Sequence, residues 1–271
     1  MKNSLMGKCI AEFIGTFLLI LFGVGCVATV VLNQSYTSLW EISMVWGLGV
    51  TLSIYVTASV SGAHLNPAVT LALSFYRGFP KAHILPFVVA QVAGAFSAAA
   101  VTYFMFRPAF LRFDEVNSIV RDAASGMKTA GIFSTYPQAY LSKWEAFAVE
   151  AMITAVLVAV IFALTDERNA GAPLGNLAPL IIGLLIAVIG GSFGSLTGFA
   201  MNPARDFGPK LFAYFAGWGA NALPGPNLYF WVPIAAPIFG ALVGGGLYDL
   251  LIRPFLPNTH EQHTQDSRKT A

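Results

Sequence analysis

Two short runs, Asn66-Pro67-Ala68 and Asn202-Pro203-Ala204, are suited to starting helices. Asparagine is among the best helix caps, and proline is favoured at the first helical position because its missing N–H would be unsatisfied there anyway. Each run predicts a helix, from Pro67 to about Tyr76 and from Pro203 to about Phe215. The amino end of each carries free N–H donors and roughly half an elementary positive charge. The side-chain amides of Asn66 and Asn202 add further donors at the same place. Just upstream, Ser61–Leu65 and Thr197–Met201 are predicted as non-helical backbone. The carbonyls of Gly62, Ala63, His64 and Leu65, and of Gly198, Ala200 and Met201, are then left as acceptors. Such a path accepts hydrogen bonds along its wall and donates them at its middle, which suits small neutral hydroxylated solutes and opposes cations and protons. Arg205, three residues after Asn202, is an always-charged planar donor. It must face a polar path or be tied to acceptors such as backbone carbonyls.

Two carboxylates, Glu12 and Glu150, stand inside apolar runs, each followed four residues later by a threonine, Thr16 and Thr154. Ionisable groups in such surroundings can relay protons in a coupled transporter. They can equally accept hydrogen bonds from the N–H groups of an unwound loop, and their matched placement favours this supporting role. His64 lies three residues after Ser61, but no nucleophile elbow surrounds the pair and no His-Glu-x-x-His zinc motif occurs. His64 is expected to contribute its carbonyl and to anchor its ring nearby. No enzyme activity, metal site or cofactor is expected, and a formal net charge of +2 gives no reason to expect a nucleic-acid partner.

The elements that position these residues follow from composition. Hydrophobic residues make up 56% of the 271 and charged residues 10%, too few charges to cover a water-soluble globule of this size. A spanning helix needs about 20 apolar residues. Six stretches qualify: about Cys9–Leu32, Ile42–Val60, Ile84–Phe106, Trp144–Leu164, Leu177–Leu196 and Tyr229–Ile252. Lys2 and Lys8 precede the first as in a signal peptide, but the run is longer than a signal core, so an uncleaved span is expected. As a helix it holds Cys9 and Cys26 about 25 Å apart, beyond disulfide reach. An even number of spans puts both termini on one side. With the amino end inside, the cytoplasmic face collects Lys2, Lys8, Arg77, Lys81, Arg168, Arg253, Arg268 and Lys269. The other face collects Arg107, Arg112, Arg121, Lys128 and Lys143 in the long middle loop, with Arg205 and Lys210. Long loops weigh little in the positive-inside rule and the connection after the first span has no Lys or Arg, so cytoplasmic termini are expected. Asn33-Gln34-Ser35 has the form of a glycosylation acceptor, a match short enough to arise by chance. The polar tail 258–271 is expected to be disordered.

The chain also repeats itself. Gly62-Ala63-His64-Leu65-Asn66-Pro67-Ala68 aligns with Gly198-Phe199-Ala200-Met201-Asn202-Pro203-Ala204, and Ala93-Gly94-Ala95 in the third span resembles Phe239-Gly240-Ala241 in the sixth. Residues 1–130 form a first repeat and 131–257 a second. Each holds three spans, an odd number, so the second must be inserted upside down. The two short helices then enter from opposite faces and meet near the midplane. Non-helical backbone at that depth is tolerated only where it is buried in protein or lines a water-filled cavity. A secondary transporter with alternating access shares this architecture and stays open as an alternative to a channel.

From about Gly7 to Pro257 the chain resembles the aquaporin family, and within it the aquaglyceroporin branch. The runs Ser61–Thr70 and Gly198–Pro209 look like those of bacterial glycerol facilitators, and two Asn-Pro-Ala motifs in six spans are highly specific. The resemblance implies an all-α membrane protein of six transmembrane helices plus two re-entrant half-helices in an inverted repeat. It implies a passive channel for glycerol, other small polyols and water, working as a homotetramer in membrane lipid, in the inner membrane of a bacterium. Asn66 and Asn202 would be central donors, and Arg205 would form an outer constriction with Trp46 and Phe199. Water-selective members carry a histidine on the fifth span; Gly190 corresponds to it here and would leave open space. An aspartate after the arginine, Asp206, is typical of the glycerol branch.

Overall fold

The computed structural model describes residues 4–33, 35, 38–173 and 175–257. Lys2, Gln34 of the glycosylation-type run and the tail from 258 onward lie outside the described residues. In chain order the helices are α1 (Leu5–Asn33), α2 (Leu39–Ser61), α3 (Pro67–Tyr76), α4 (Ile84–Val116), α5 (Met127–Ala130), α6 (Lys143–Thr165), α7 (Ala178–Thr197), α8 (Pro203–Ala213) and α9 (Val232–Leu251). Six of them, α1, α2, α4, α6, α7 and α9, are long and apolar enough to cross a bilayer. Helices α3 and α8 are too short to do so, and α5 is a single turn in the middle loop. Side chains such as Phe104, Phe215 and Leu250 are exposed around the outside, as expected where lipid replaces water as the solvent.

The repeat is visible in the packing. Helix α1 lies against α4 in the first half as α6 lies against α9 in the second, and α2 meets α7 where the halves join. Gly94 faces the backbone of Phe13, directly after Glu12, and Gly240 faces the backbone of Ala151, directly after Glu150. A side chain at either glycine would strike that backbone, so small residues set the helix separation. Gly47 and Gly183 are equivalent in the two halves and each faces the other's carbonyl, which places them on the pseudo-two-fold axis.

Several boundaries differ from those expected from the sequence. Helix α4 continues ten residues past Phe106, through Pro108, to Val116. Hydropathy ends at Arg107, but Phe110 is fully buried and stacks on Phe133 at 5.6 Å, and this contact draws the helix beyond the apolar run. Helix α9 starts at Val232, after a 3-10 segment Pro226–Trp231 in which Tyr229 is buried. Helix α8 ends at Ala213, and the chain turns through Tyr214–Trp218 with Gly217 at φ 104°. Lys210, counted above among the outer-face charges, is fully buried and paired with Asp206, so it has no place in a loop-charge comparison.

Candidate functional site

Each half-helix begins as its cap chemistry dictates. Asn66 is extended (φ −156°) and its Oδ1 accepts from Ala68 N at 2.8 Å; Asn202 does the same (φ −149°) with Ala204 N at 3.0 Å and Arg205 N at 3.2 Å. Using Oδ1 as the cap fixes the amide rotamer and turns Nδ2 outward. Asn66 Nδ2 then donates to the Met201 carbonyl at 2.8 Å, and Asn202 Nδ2 donates to the Leu65 carbonyl at 2.7 Å. The two half-helix starts are therefore pinned to each other by a reciprocal pair of hydrogen bonds across the pseudo-two-fold axis. Each amide nitrogen has two hydrogens, so one per asparagine is left over.

The segments before the caps are twisted alike. Gly62 (φ 89°), Ala63 (φ 50°) and Leu65 (φ 53°) match Gly198 (φ 86°), Phe199 (φ 42°) and Met201 (φ 50°) in the left-handed region. Non-glycine residues hold such angles at a cost of about 1–3 kcal/mol each, and only where surrounding bonds over-determine them. The carboxylates supply those bonds. Glu12 accepts from Ser61 Oγ (2.6 Å), His64 N (2.9 Å), Leu65 N (2.7 Å) and Gln91 Nε2 (2.7 Å). Glu150 accepts from Thr197 Oγ1 (2.6 Å), Ala200 N (2.9 Å) and Met201 N (2.9 Å).

Planarity of the peptide then orients the carbonyls. In a trans peptide the C=O points opposite to the N–H of the next residue. The carbonyls of Ala63 and His64 must point away from Glu12, and those of Phe199 and Ala200 away from Glu150. All four residues line one continuous cavity of about 470 Å³, together with Gly62, Leu65, Asn66, Met201, Asn202, Trp46 and Arg205. The Phe199 carbonyl, not counted from the sequence, thus joins the acceptor ladder. One lone pair of Leu65 O and of Met201 O is already taken by the asparagines. Gly198 caps α7, and its Cα faces Thr135.

At one end of the cavity the Arg205 guanidinium carbon lies 4.0 Å from the centre of the Trp46 ring, and Trp46 meets Phe199 edge-on at 6.4 Å. Among the described residues no carbonyl accepts from that guanidinium. Gly190 departs from the expected open space. A Cβ there would stand 2.9 Å from Phe199 Cε2 and Cζ and 2.6 Å from Ser43 Oγ, so the aromatic ring already fills the room that glycine leaves.

Two supporting networks are not legible in the sequence. In the first half, His64 Nδ1 meets Thr70 Oγ1 at 3.1 Å, Gln91 Nε2 reaches the same hydroxyl at 3.1 Å, and the imidazole packs on Phe79 and Phe87. In the second, Asp206 pairs with buried Lys210 and accepts from Thr135 N and Thr135 Oγ1, both at 2.7 Å. Lys210 Nζ also donates to the Thr135 carbonyl at 3.0 Å, so the middle loop is tied onto α8. The available signals were Gln91, a lone amide inside an apolar run, and the i,i+4 spacing of Asp206 and Lys210.

Comparison with known proteins agrees with this construction. The pattern of the family described as "Major intrinsic protein" matches residues 1–248. The glycerol uptake facilitator protein of Escherichia coli (strain K12) is 56% identical over 257 residues, covering 94% of this chain and 91% of that protein. The propanediol uptake facilitator of Citrobacter freundii is 52% identical over 259 residues, covering 95% and 96%. Among solved structures, the aquaglyceroporin from Plasmodium falciparum superposes with a TM-score of 0.81 at 32% identity, covering 93% of this chain and 98% of that one. Six apolar spans, two half-helices meeting at paired Asn-Pro-Ala caps and these similarities lead to one conclusion: the chain is a multi-pass membrane protein and belongs to the major intrinsic protein family.

Proposed function

We propose that the chain is a passive channel for glycerol and related small neutral polyols, permeable also to water, that excludes ions and protons and performs no chemistry on its permeant. The observation that carries this reading is the meeting of two helix amino ends inside one cavity, with an asparagine hydrogen left over at each. Carbonyls accept from a solute's hydroxyls along the wall, and Asn66 and Asn202 donate to them at the middle. At the constriction, Phe199 and the edge of Trp46 form an apolar side and Arg205 a donating corner, matching a linear polyol whose carbons and hydroxyls lie on opposite edges. The fixed charge of Arg205 and the two helix ends repel cations. Halves 1–130 and 131–257 act as structural units, the termini face the cytoplasm of a bacterial inner membrane, and four copies assemble with one pore each.

The coupled-transporter reading is not favoured. Glu12 and Glu150 serve as acceptors for the strained loops, the part of a structural carboxylate rather than of a relay. Stopped-flow light scattering on proteoliposomes tests the proposal. Glycerol should equilibrate down its gradient well above the rate of protein-free vesicles, without saturation, while an internal pH-sensitive dye reports no protein-dependent proton current. Saturable uptake against a gradient, or acidification that scales with protein content, would overturn it.

A further inference from the structure

The aromatic rings at the constriction are held from behind. Trp46 lies over Gly23 of α1: a Cβ there would stand 2.5 Å from Cε2 and closer still to Cζ3 and Cη2, atoms distributed across the six-membered ring. That position is above the ring face, so the backbone of α1 covers one face of the indole. The Arg205 guanidinium, 4.0 Å from the ring centre, must therefore occupy the other face. Trp46 is a plate clamped between a glycine and the cation. Phe199 also rests on glycines, here of α7, along the rim of its ring. A Cβ at Gly194 would lie 2.7 Å from Cδ1 and 3.0 Å from Cε1, one edge of the ring, while Gly190 a turn earlier underlies Cε2 and Cζ. Neither Gly23 nor Gly194 is among the residues lining the cavity.

We propose that Gly23 and Gly194 set the width of the constriction, as positioning residues that act through Trp46 and Phe199 without touching the permeant. This rests on the channel reading above and adds to it a steric determinant of solute size. Carbon atoms pack at about 3.5–4.0 Å, so a methyl at position 23 requires Trp46 to move by about 1 Å. With the α1 backbone behind it, the ring can move only by pushing the Arg205 side chain ahead of it into the lumen. A methyl at position 194 drives Phe199 the same way. A polyol fills more of the opening than water does, so narrowing selects against the polyol first.

The test compares glycerol and water permeability in proteoliposomes for wild type, Gly23→Ala, Gly194→Ala and Gly25→Ala. Gly25 lies on the same helix as Gly23, but a Cβ there meets nothing within 4 Å. Gly23→Ala and Gly194→Ala should lower glycerol permeability about tenfold while water falls less than about threefold, and Gly25→Ala should leave both unchanged. Adding Trp46→Phe to Gly23→Ala should recover glycerol permeability, because the smaller ring can retreat. An unchanged glycerol-to-water ratio in well-assembled Gly23→Ala and Gly194→Ala protein would overturn the proposal. So would a parallel loss of both permeabilities with poor assembly that Trp46→Phe does not relieve, since the glycines would then serve helix packing alone. A wild-type protein that conducts no glycerol at all would overturn the channel reading itself, and this inference with it.

Discussion

Val69 and Arg205 occupy the same place in their half-helices, three residues after the capping asparagine, yet one is an apolar side chain and the other a cation. The same register sets Ala63 against Phe199, Thr70 against Asp206 and Ser74 against Lys210. The backbones hardly notice. Both loops use the same left-handed angles, both asparagines cap and cross over, and both are held by a glutamate. The first half surrounds its motif with a neutral network of His64, Thr70 and Gln91, whereas the second buries a charged one of Asp206 and Lys210 and recruits Thr135 from the middle loop. Symmetry therefore builds the frame, and its violation brings a cation, Arg205, against Trp46 and Phe199 in one half only. A buried cation at position 205 suits the half that already carries an ionic scaffold beside it.

The largest effect is expected from removing the shared element. Glu12→Ala orphans four donors and Glu150→Ala three, at about 1–3 kcal/mol for each donor left unsatisfied. Both should assemble poorly in detergent, Glu12→Ala the worse, while Glu→Gln retains one acceptor oxygen and should be milder. Size-exclusion profiles and thermal melts will rank them. Normally assembled Glu→Ala protein that conducts but has lost a pH dependence would contradict the structural role.

Next is the ionic scaffold peculiar to the second half. Lys210→Met leaves Asp206 buried without its cation, a loss of about 3–5 kcal/mol. Thr135 still donates to Asp206, so the lower end of that range is expected. A melt unchanged from wild type would show that the pair adds nothing to the fold. Arg205→Val makes the second half resemble the first at its most divergent position. It should raise cation or proton leak on the order of a hundredfold, about 2.7 kcal/mol off the barrier, because the central helix ends must then exclude ions alone. Ion flux in proteoliposomes that stays at the wild-type level would place the barrier elsewhere.

The double variant Gly190→His, Phe199→Thr should lower glycerol relative to water about tenfold. The structure explains why both changes are needed: a Cβ at 190 strikes the Phe199 ring, so that ring must be removed before histidine can fit. An unaltered glycerol-to-water ratio in folded protein would locate the filter elsewhere. The smallest effect is expected in the neutral network, where Thr70→Val removes the partner of His64 Nδ1. A loss of about 1 kcal/mol with unchanged selectivity should appear in thermal melts. A change in selectivity would mean that His64 does more than hold the loop.

Much of this molecule can be read from the chain alone, because its main signals are local. Six apolar runs are spans since a bilayer satisfies no backbone polar group, and Asn-Pro starts a helix wherever it stands. A motif repeated after an odd number of spans must face the opposite way. Glu12 and Glu150 could be suspected of holding the loops from their matched positions. Where the reading failed, the missing information was a partner distant in sequence. Helix α4 outruns its hydropathy because Phe110 finds Phe133, and Lys210 leaves the outer surface because Asp206 and Thr135 enclose it. Gly190 reads as open space in the sequence whereas Phe199 lies on it, and Gly23 gives no sign of its aromatic partner, since a glycine in an apolar helix fits many kinds of packing. Composition, caps and repeat determine how many elements there are and which way each runs. Only the tertiary structure decides which side chains fill the space between them, because a close contact depends on what stands opposite and not on what stands next along the chain.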